Sequence, residues 1–388
     1  MNILLYDFLN SYIQSDLVFF LTKMGHKCNN IPYFHAVDKY NDDPFSQKME
    51  KDLSDGKYDL VFTSNFWPIV SKVCLKHNIP YISWFYDSPP NLPSAECMDY
   101  SVNSIFFFAR ADYADYKAIG LDNVYYLPLA VNTKRLNAIR PDFNKYSSEI
   151  SFVGKLYSSM LPALMNHMTD YQKGYLDAVV NAQMQIYGGY IVDDAVTESF
   201  TESVRLRYRE LSDKAIQVTR KELAWAVASH VTNLERLTLL RLLSRKHKIR
   251  LYTFDVNESE RNLLSEIQIC GPVDYLTEMP QVFKGSKINL CPVLKANRSG
   301  IPLRALDSMG CGGFLLSSFQ SELAEYFVNG RECVMYGSVE EAMELADYYI
   351  AHEEIRKSIA NAGFLKAEKD FAYEERINTM LNVAGLKY

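Results

Sequence analysis

The chain has 388 residues, 48% of them hydrophobic and 23% charged, which is enough apolar material for two buried cores and excludes a disordered chain. Its formal net charge of -6 gives no basic footprint for DNA or RNA and no attraction to acidic membranes. No apolar run reaches the roughly 18 residues of a membrane span, and the opening MNILLYDFLN begins with a strand-like run and not a cationic leader, so a cytoplasmic location is expected.

Residues 3–6 read as a first strand, and 16–24 as an amphipathic helix stopped by Gly25. Strands at 58–63, 81–85, 104–109 and 124–127 follow, with helices at 68–77 and 113–119 between them. Such alternation predicts a parallel sheet wrapped on both faces, a first Rossmann-like domain. The polar stretch NTKRLNAIRPDFNKYSSE reads as a linker, and a second set of strands occupies 150–153, 249–254, 267–269, 288–292 and 314–317. Residues 158–247 are helical in pattern and too long for a crossover, which predicts an inserted helical subdomain with a turn at IYGGYIVDD. A strand at 333–336, a helix to 352 capped by Ser338, and helices at 353–369 and 371–386 complete the chain. The expected domains are therefore 1–145 and 146–370, with 371–388 as a last helix returning to the first domain. Two such domains would face a central cleft at the carboxyl ends of their strands.

The seven cysteines lie far apart with no CxxC, and no histidine stands at metal-ligand spacing. Reduced thiols and no metal site are the expectation.

The most informative stretch is NRSGIPLRALDSMGCGGFLLSS, residues 297–318. Gly300 and Pro302 punctuate a loop, a short helix follows, and Arg304 and Asp307 fall on one helix face before three glycines stop it. A guanidinium can fork onto a diphosphate and a carboxylate can accept both hydroxyls of a ribose, which points to a nucleotide-sugar pocket. An i,i+3 surface ion pair is the alternative reading. In SFVGKLY, the Gly154 amide can approach a diphosphate and the Lys155 ammonium can neutralise it, or Lys155 is a solvent lysine after a turn. These glycines form neither GxGxxG nor a Walker loop, against dinucleotide oxidoreductases and kinases. In WFYDSPP, Asp87 follows a buried strand and precedes two prolines that stiffen its loop; it is either a general base or the start of an Asx turn. Tyr252, Thr253 and Phe254, at the end of another strand, form the wall of a slot or plain core.

The motif order resembles the bacterial GT-B glycosyltransferases of the group-1 superfamily, in particular the CgeB-like, spore-maturation type. The resemblance rests on SFVGKLY, HVTNLER, LYTFD, GPVDYLTEMPQVFKGSKINL, GIPLRALDSMGCGGFLLSS and YYIAHEEIRKSIANAG, across about 150–388, and more loosely on LYDFLNSYIQSDL and ISWFYDSPP. It implies a GT-B fold in which the first domain holds the acceptor and the second the nucleotide sugar. The Gly154-Lys155 loop would lie beside the donor pyrophosphate. Val273 and Asp274 would present backbone groups to the nucleobase, and Ser299 and Gly300 would line the sugar end. Asp307 stands where many relatives carry a ribose-gripping glutamate, a departure that the CgeB-like branch accepts. Arg304 would face phosphates or sugar, and with Lys155 would stabilise the leaving diphosphate without a metal. For an inverting reaction Asp87 is the first candidate for the base, followed by Asp16 and Asp7, either of which otherwise caps the first helix.

The expected function is transfer of a sugar from a nucleotide diphosphate sugar, UDP preferred on family frequency, to a protein, polysaccharide or lipid acceptor. No cofactor, nucleic acid or membrane insertion is implied. The rivals are a nucleotide-sugar epimerase on the same scaffold and a non-catalytic partner that keeps the fold.

Overall fold

The computed structural model describes residues 1–8, 11–35, 37–212 and 216–386; residues 213–215 of the expected insertion and the last two of the expected 371–388 segment lie outside the described residues. The chain forms two compact units, Met1–Thr133 with Ser299–Leu306 and Ala367–Tyr388, and Lys134–Arg298 with Asp307–Lys366.

The first unit is built on a parallel sheet of β1 (Asn2–Asp7), β2 (Lys27–Pro32), β3 (Leu60–Ser64), β4 (Tyr81–Trp84), β5 (Asn103–Phe107) and β6 (Val124–Tyr126), in the order β2-β1-β3-β4-β5-β6. Its central strands are buried on both faces, so LVFTS and NSIFF read as near-continuous apolar runs. Two elements lie outside the sequence expectation. β2, KCNNIP, is an edge strand paired only with β1 and largely exposed, so it carries no apolar alternation. The helix Asp43–Asp55 starts where Asp42 accepts from the Phe45 amide at 2.8 Å, has proline in its first turn, and buries Phe45, Met49 and Leu53 at fourfold spacing.

The last helix, Tyr373–Val383, packs on the helix Gln14–Lys23 through Phe20 stacked on Tyr373 at 5.0 Å and a Lys23–Glu374 ion pair at 2.7 Å. Buried Arg376 fixes this return by donating to the carbonyls of Pro128 and Asp370, at 3.1 and 2.6 Å.

The second unit is built on β7 (Ser148–Val153), β8 (Ile249–Tyr252), β9 (Gln268–Ile269), β10 (Ser286–Cys291), β11 (Leu315–Ser318) and β12 (Val334–Tyr336), all parallel in the order β12-β11-β10-β7-β8-β9. The polar linker holds two short helices, Thr133–Ala138 and Phe143–Tyr146; Asp142 caps the second. Between β7 and β8 the insertion is helical, and the turn expected at 186–194 includes the short helix Val192–Ala195. Capping boxes at Thr169 with Gln172 and at Thr219 with Glu222 start two of its helices. Its longest helix, Arg220–Ser244, gives Leu223, Val227 and Val231 to the insertion's own core and Leu239, Leu240 and Leu243 to the core of the sheet. One helix thereby anchors the inserted subdomain. All seven cysteines are free thiols.

Candidate functional site

In the second unit β7 is flanked by β8 on one side and β10 on the other, so the strand order reverses at this point. Open α/β sheets bind ligands outside the carboxyl ends of strands at such a switch point. The Gly154 amide after β7 donates to the Tyr252 carbonyl at 3.0 Å and is spent on the sheet, contrary to the expectation that it is offered to a phosphate. A Cβ there would stand 3.2 Å from the Phe152 ring, a tight approach that the ring would have to relieve. Lys155 is exposed.

Arg236, from the helix Arg220–Ser244, is buried beneath this loop. Its guanidinium donates to the carbonyls of Lys155 and Pro292 and lies 5.2 and 5.0 Å from the ring centres of Phe152 and Tyr157. It clamps the loops after β7 and β10 together. Its neighbour Glu235 is fully buried, with the Lys295 ammonium 3.2 Å from Oε2. Lys295 also donates to the Ile186 carbonyl at 3.3 Å and sits 3.9 Å from the Tyr187 ring centre, tying the insertion to the loop after β10. Lys295, Ile186 and Tyr187, with Phe319 and Gln320, line a recess at the carboxyl ends of β10 and β11. Sequence reasoning missed all of this; the available signal is an adjacent Glu-Arg pair within the apolar helical run VTNLERLTLL.

Tyr252 is core, as the plain-strand reading has it, and Phe254 is exposed. Thr253, between them, has a buried hydroxyl with no hydrogen-bond partner among the described residues. The side chain of Asp274 is committed to a turn, accepting from the Thr277 amide and hydroxyl at 2.8 and 2.6 Å. Glu278 reciprocates on the Asp274 amide at 3.1 Å, while the Tyr146 hydroxyl and Lys145 also bond it; together these hold the Glu278 carboxyl down at about 2. The carboxylate of Asp274 thus organises the loop, and Val273 is half-buried beside it.

Asp307 lies in the last turn of the helix Leu303–Gly310 and is 1% exposed, with Oδ1 accepting from the Tyr275 hydroxyl at 2.9 Å. A carboxylate so buried is not half of a surface ion pair. Arg304, one turn earlier, is half-buried. Ser299 and Gly300 belong to the first unit, where Ser299 Oγ accepts from the Ala111 amide at 2.9 Å and so caps the helix Arg110–Ala118, which has no other side-chain cap. A Cβ on Gly300 would come within 2.6 Å of the Phe108 ring and 2.8 Å of Ala109 Cβ, so glycine is required there by packing.

In the first unit the strand order reverses at β1, and Asp7, Asn65 and Asp87 follow or end the neighbouring strands β1, β3 and β4. Asp7 Oδ1 accepts from the Ser11 amide at 2.9 Å. Asp16 is buried in the first turn of its helix and accepts from Asn132 Nδ2 at 2.7 Å. Asp87 is exposed and accepts from Asn65 Nδ2 at 2.8 Å. Lys39, half-buried over the Trp67 ring, is close enough to feel the Asp87 charge; burial pushes its pKa down and Asp87 opposes this. The first unit thus gathers Asp87, Asn65 and Lys39, and pairs Asp16 elsewhere.

Residues 236–382 match the family model described as glycosyl transferase-like. Among solved structures the chain is similar to a glycosyltransferase from Rickettsia africae, at 11% identity, 98% of each chain and a TM-score of 0.60. It is likewise similar to sucrose-phosphate synthase from Thermosynechococcus elongatus, at 11% identity, 99% of this chain, 98% of that one and a TM-score of 0.57. A third is Anabaena HepE in complex with UDP-glucose, at 9% identity, 99% of each chain and a TM-score of 0.56. This chain has the GT-B fold. At such identities the fold is what is shared; no curated protein matches in sequence. Among the described residues of this GT-B protein no helix is long and apolar enough to cross a membrane, and no group of three or more His, Cys, Asp or Glu is placed to hold a metal ion.

Proposed function

We propose that this GT-B protein is a glycosyltransferase of the CgeB-like type, bacterial and cytoplasmic, which moves a hexose from a nucleotide diphosphate sugar to a protein, polysaccharide or lipid acceptor. The observation that carries the reading is the glycosyl transferase-like match over 236–382, which contains β8 to β12 with the loops after them, and Asp307. The unpartnered hydroxyl of Thr253 supports a ligand at the end of β8, because a buried donor left unmade is costly. HepE is bound to UDP-glucose in its structure, which favours UDP as the nucleotide here. In this reading the second unit holds the donor, with Lys155 neutralising diphosphate charge, and the first unit holds the acceptor.

Metal independence belongs to the same proposal, since Lys155 supplies a cation that can stabilise a leaving diphosphate. Calorimetry with UDP, GDP and dTDP in EDTA tests it. UDP binds under these conditions; no heat with any of the three removes the donor-site reading, and binding restored only by a divalent ion removes metal independence alone.

Asp307→Asn weakens UDP binding by about 1.5–3 kcal/mol, the strength of hydrogen bonds to a charged acceptor. The amide fills the same buried space and still accepts from Tyr275, and circular dichroism checks that the fold is kept. Unchanged UDP affinity would make the Asp307–Tyr275 bond a packing feature with no ligand role.

A further inference from the structure

Asn65, the first residue after β3, has a left-handed backbone conformation, φ 58°, that an L residue other than glycine adopts at a cost. Four hydrogen bonds impose it. The Asn65 amide donates to the Trp84 carbonyl at 2.9 Å, and its carbonyl accepts from Thr63 Oγ1 at 2.7 Å. Its side chain spans the next loop: Oδ1 accepts from the Tyr86 amide at 3.1 Å and Nδ2 donates to Asp87 Oδ2 at 2.8 Å. Thr63 Oγ1 is itself 2.6 Å from the buried Tyr81 hydroxyl, which accepts from the Trp67 amide at 3.1 Å, so the strained residue is anchored to the core beneath it. Backbone strain held this firmly beside a polar cluster at a sheet's carboxyl edge is characteristic of functional sites.

We propose that Asn65 is a positioning residue for the acceptor base, aiming the Asp87 carboxylate and favouring its ionised form. The inference rests on the reading of Asp87 as that base. One amide grips both the backbone at Tyr86 and the carboxylate at Asp87, so the loop and the carboxylate are held in one orientation. Lys39, from the segment before the helix Asp43–Asp55, feels its charge, and Tyr86 of its own loop feels both Asp87 and Asp7, which ends β1. The positive neighbour Lys39 favours the Asp87 charge, and Asn65 adds a directed bond to the carboxylate.

The test uses the full chain with carboxyl-labelled aspartate, the Asp87 signal being assigned by its loss in Asp87→Asn. Asn65→Gly keeps the left-handed backbone at no cost and removes both side-chain bonds; Asn65→Asp keeps the acceptor for Tyr86 and loses the donor to Asp87. Both variants fold with parent-like circular dichroism, and in both the Asp87 titration midpoint moves to higher pH. Hydrolysis of UDP-glucose by Asn65→Gly falls about 10- to 100-fold in kcat, the scale of a misplaced reacting group, at near-parent KM, and its acid limb moves up in pH. A parent-like titration midpoint in folded Asn65→Gly overturns the inference. If Asp87→Asn turns over normally while the midpoint shifts, the base reading fails, and Asn65 positions a carboxylate with no catalytic role.

Discussion

Asp87→Asn abolishes sugar transfer and leaves nucleotide affinity near the parent's. The amide has the size of the carboxylate and keeps an oxygen for Asn65 Nδ2, which now sits 2.8 Å from Oδ2, so the loop after β4 is undisturbed. What is lost is the ability to take a proton from the acceptor hydroxyl, and removal of a general base costs about 10²–10⁴ in rate. Affinity is spared because Lys155 and Asp307 belong to the second unit, while Asp87 belongs to the first. Transfer from a UDP-sugar panel and UDP calorimetry on one preparation check both halves, with circular dichroism as the control for folding. Near-parent transfer would move the base to Asp7 or Asp16, or favour a retaining reaction in which the donor phosphate itself takes the proton. Asp16 is the poorer substitute, since its carboxylate is buried and already accepts from Asn132 at 2.7 Å. Loss of both transfer and binding would make Asp87 a structural turn residue.

The largest loss of stability is expected from Lys295→Met. Glu235 is fully buried and the Lys295 ammonium, 3.2 Å away, is its ion-pair partner. Deleting one member of a buried pair strands the other charge in a medium that cannot solvate it, which costs about 3–5 kcal/mol. The double variant Lys295→Met, Glu235→Gln removes both charges and recovers most of the loss. Urea unfolding of the parent, the single and the double variant measures this. A single variant within 1 kcal/mol of the parent (a bound of roughly surface-pair size) would show that the pair is solvated and that the insertion is held by its apolar helix alone.

The alternation of apolar runs and helical stretches determined the fold class by itself. Central strands such as LVFTS and NSIFF are buried on both faces, so their sequences must be apolar throughout, and helices between them force parallel pairing. The helical insertion was equally legible, because nothing but a subdomain accommodates so long a helical stretch between adjacent strands. β2 was not legible: an edge strand exposed to water pairs through its backbone, and KCNNIP has no side-chain pattern to betray it. The helix Asp43–Asp55 did carry its signal, in Asp42, Pro44 and the spacing of Phe45, Met49 and Leu53.

For the candidate site the sequence supplied residue types, and the tertiary structure decided what each is bonded to. A glycine after a strand looks free to meet a phosphate, yet whether its amide is free depends on the neighbouring strand, and Tyr252 takes it. An aspartate in a loop is a base or a cap according to which amides it faces; Asp274 meets Thr277, whereas Asp87 meets Asn65, 22 residues away in sequence. Ser299 finds the Ala111 amide and Asp307 finds the Tyr275 hydroxyl across separations that no local pattern encodes. Arg236 and Glu235 look like one more charged pair on a helix, and only the packing of the insertion against the sheet makes them a buried clamp and a buried ion pair. Local propensity is written in neighbouring residues, while the partner of a polar group is set by topology, which brings together strand ends far apart in the chain.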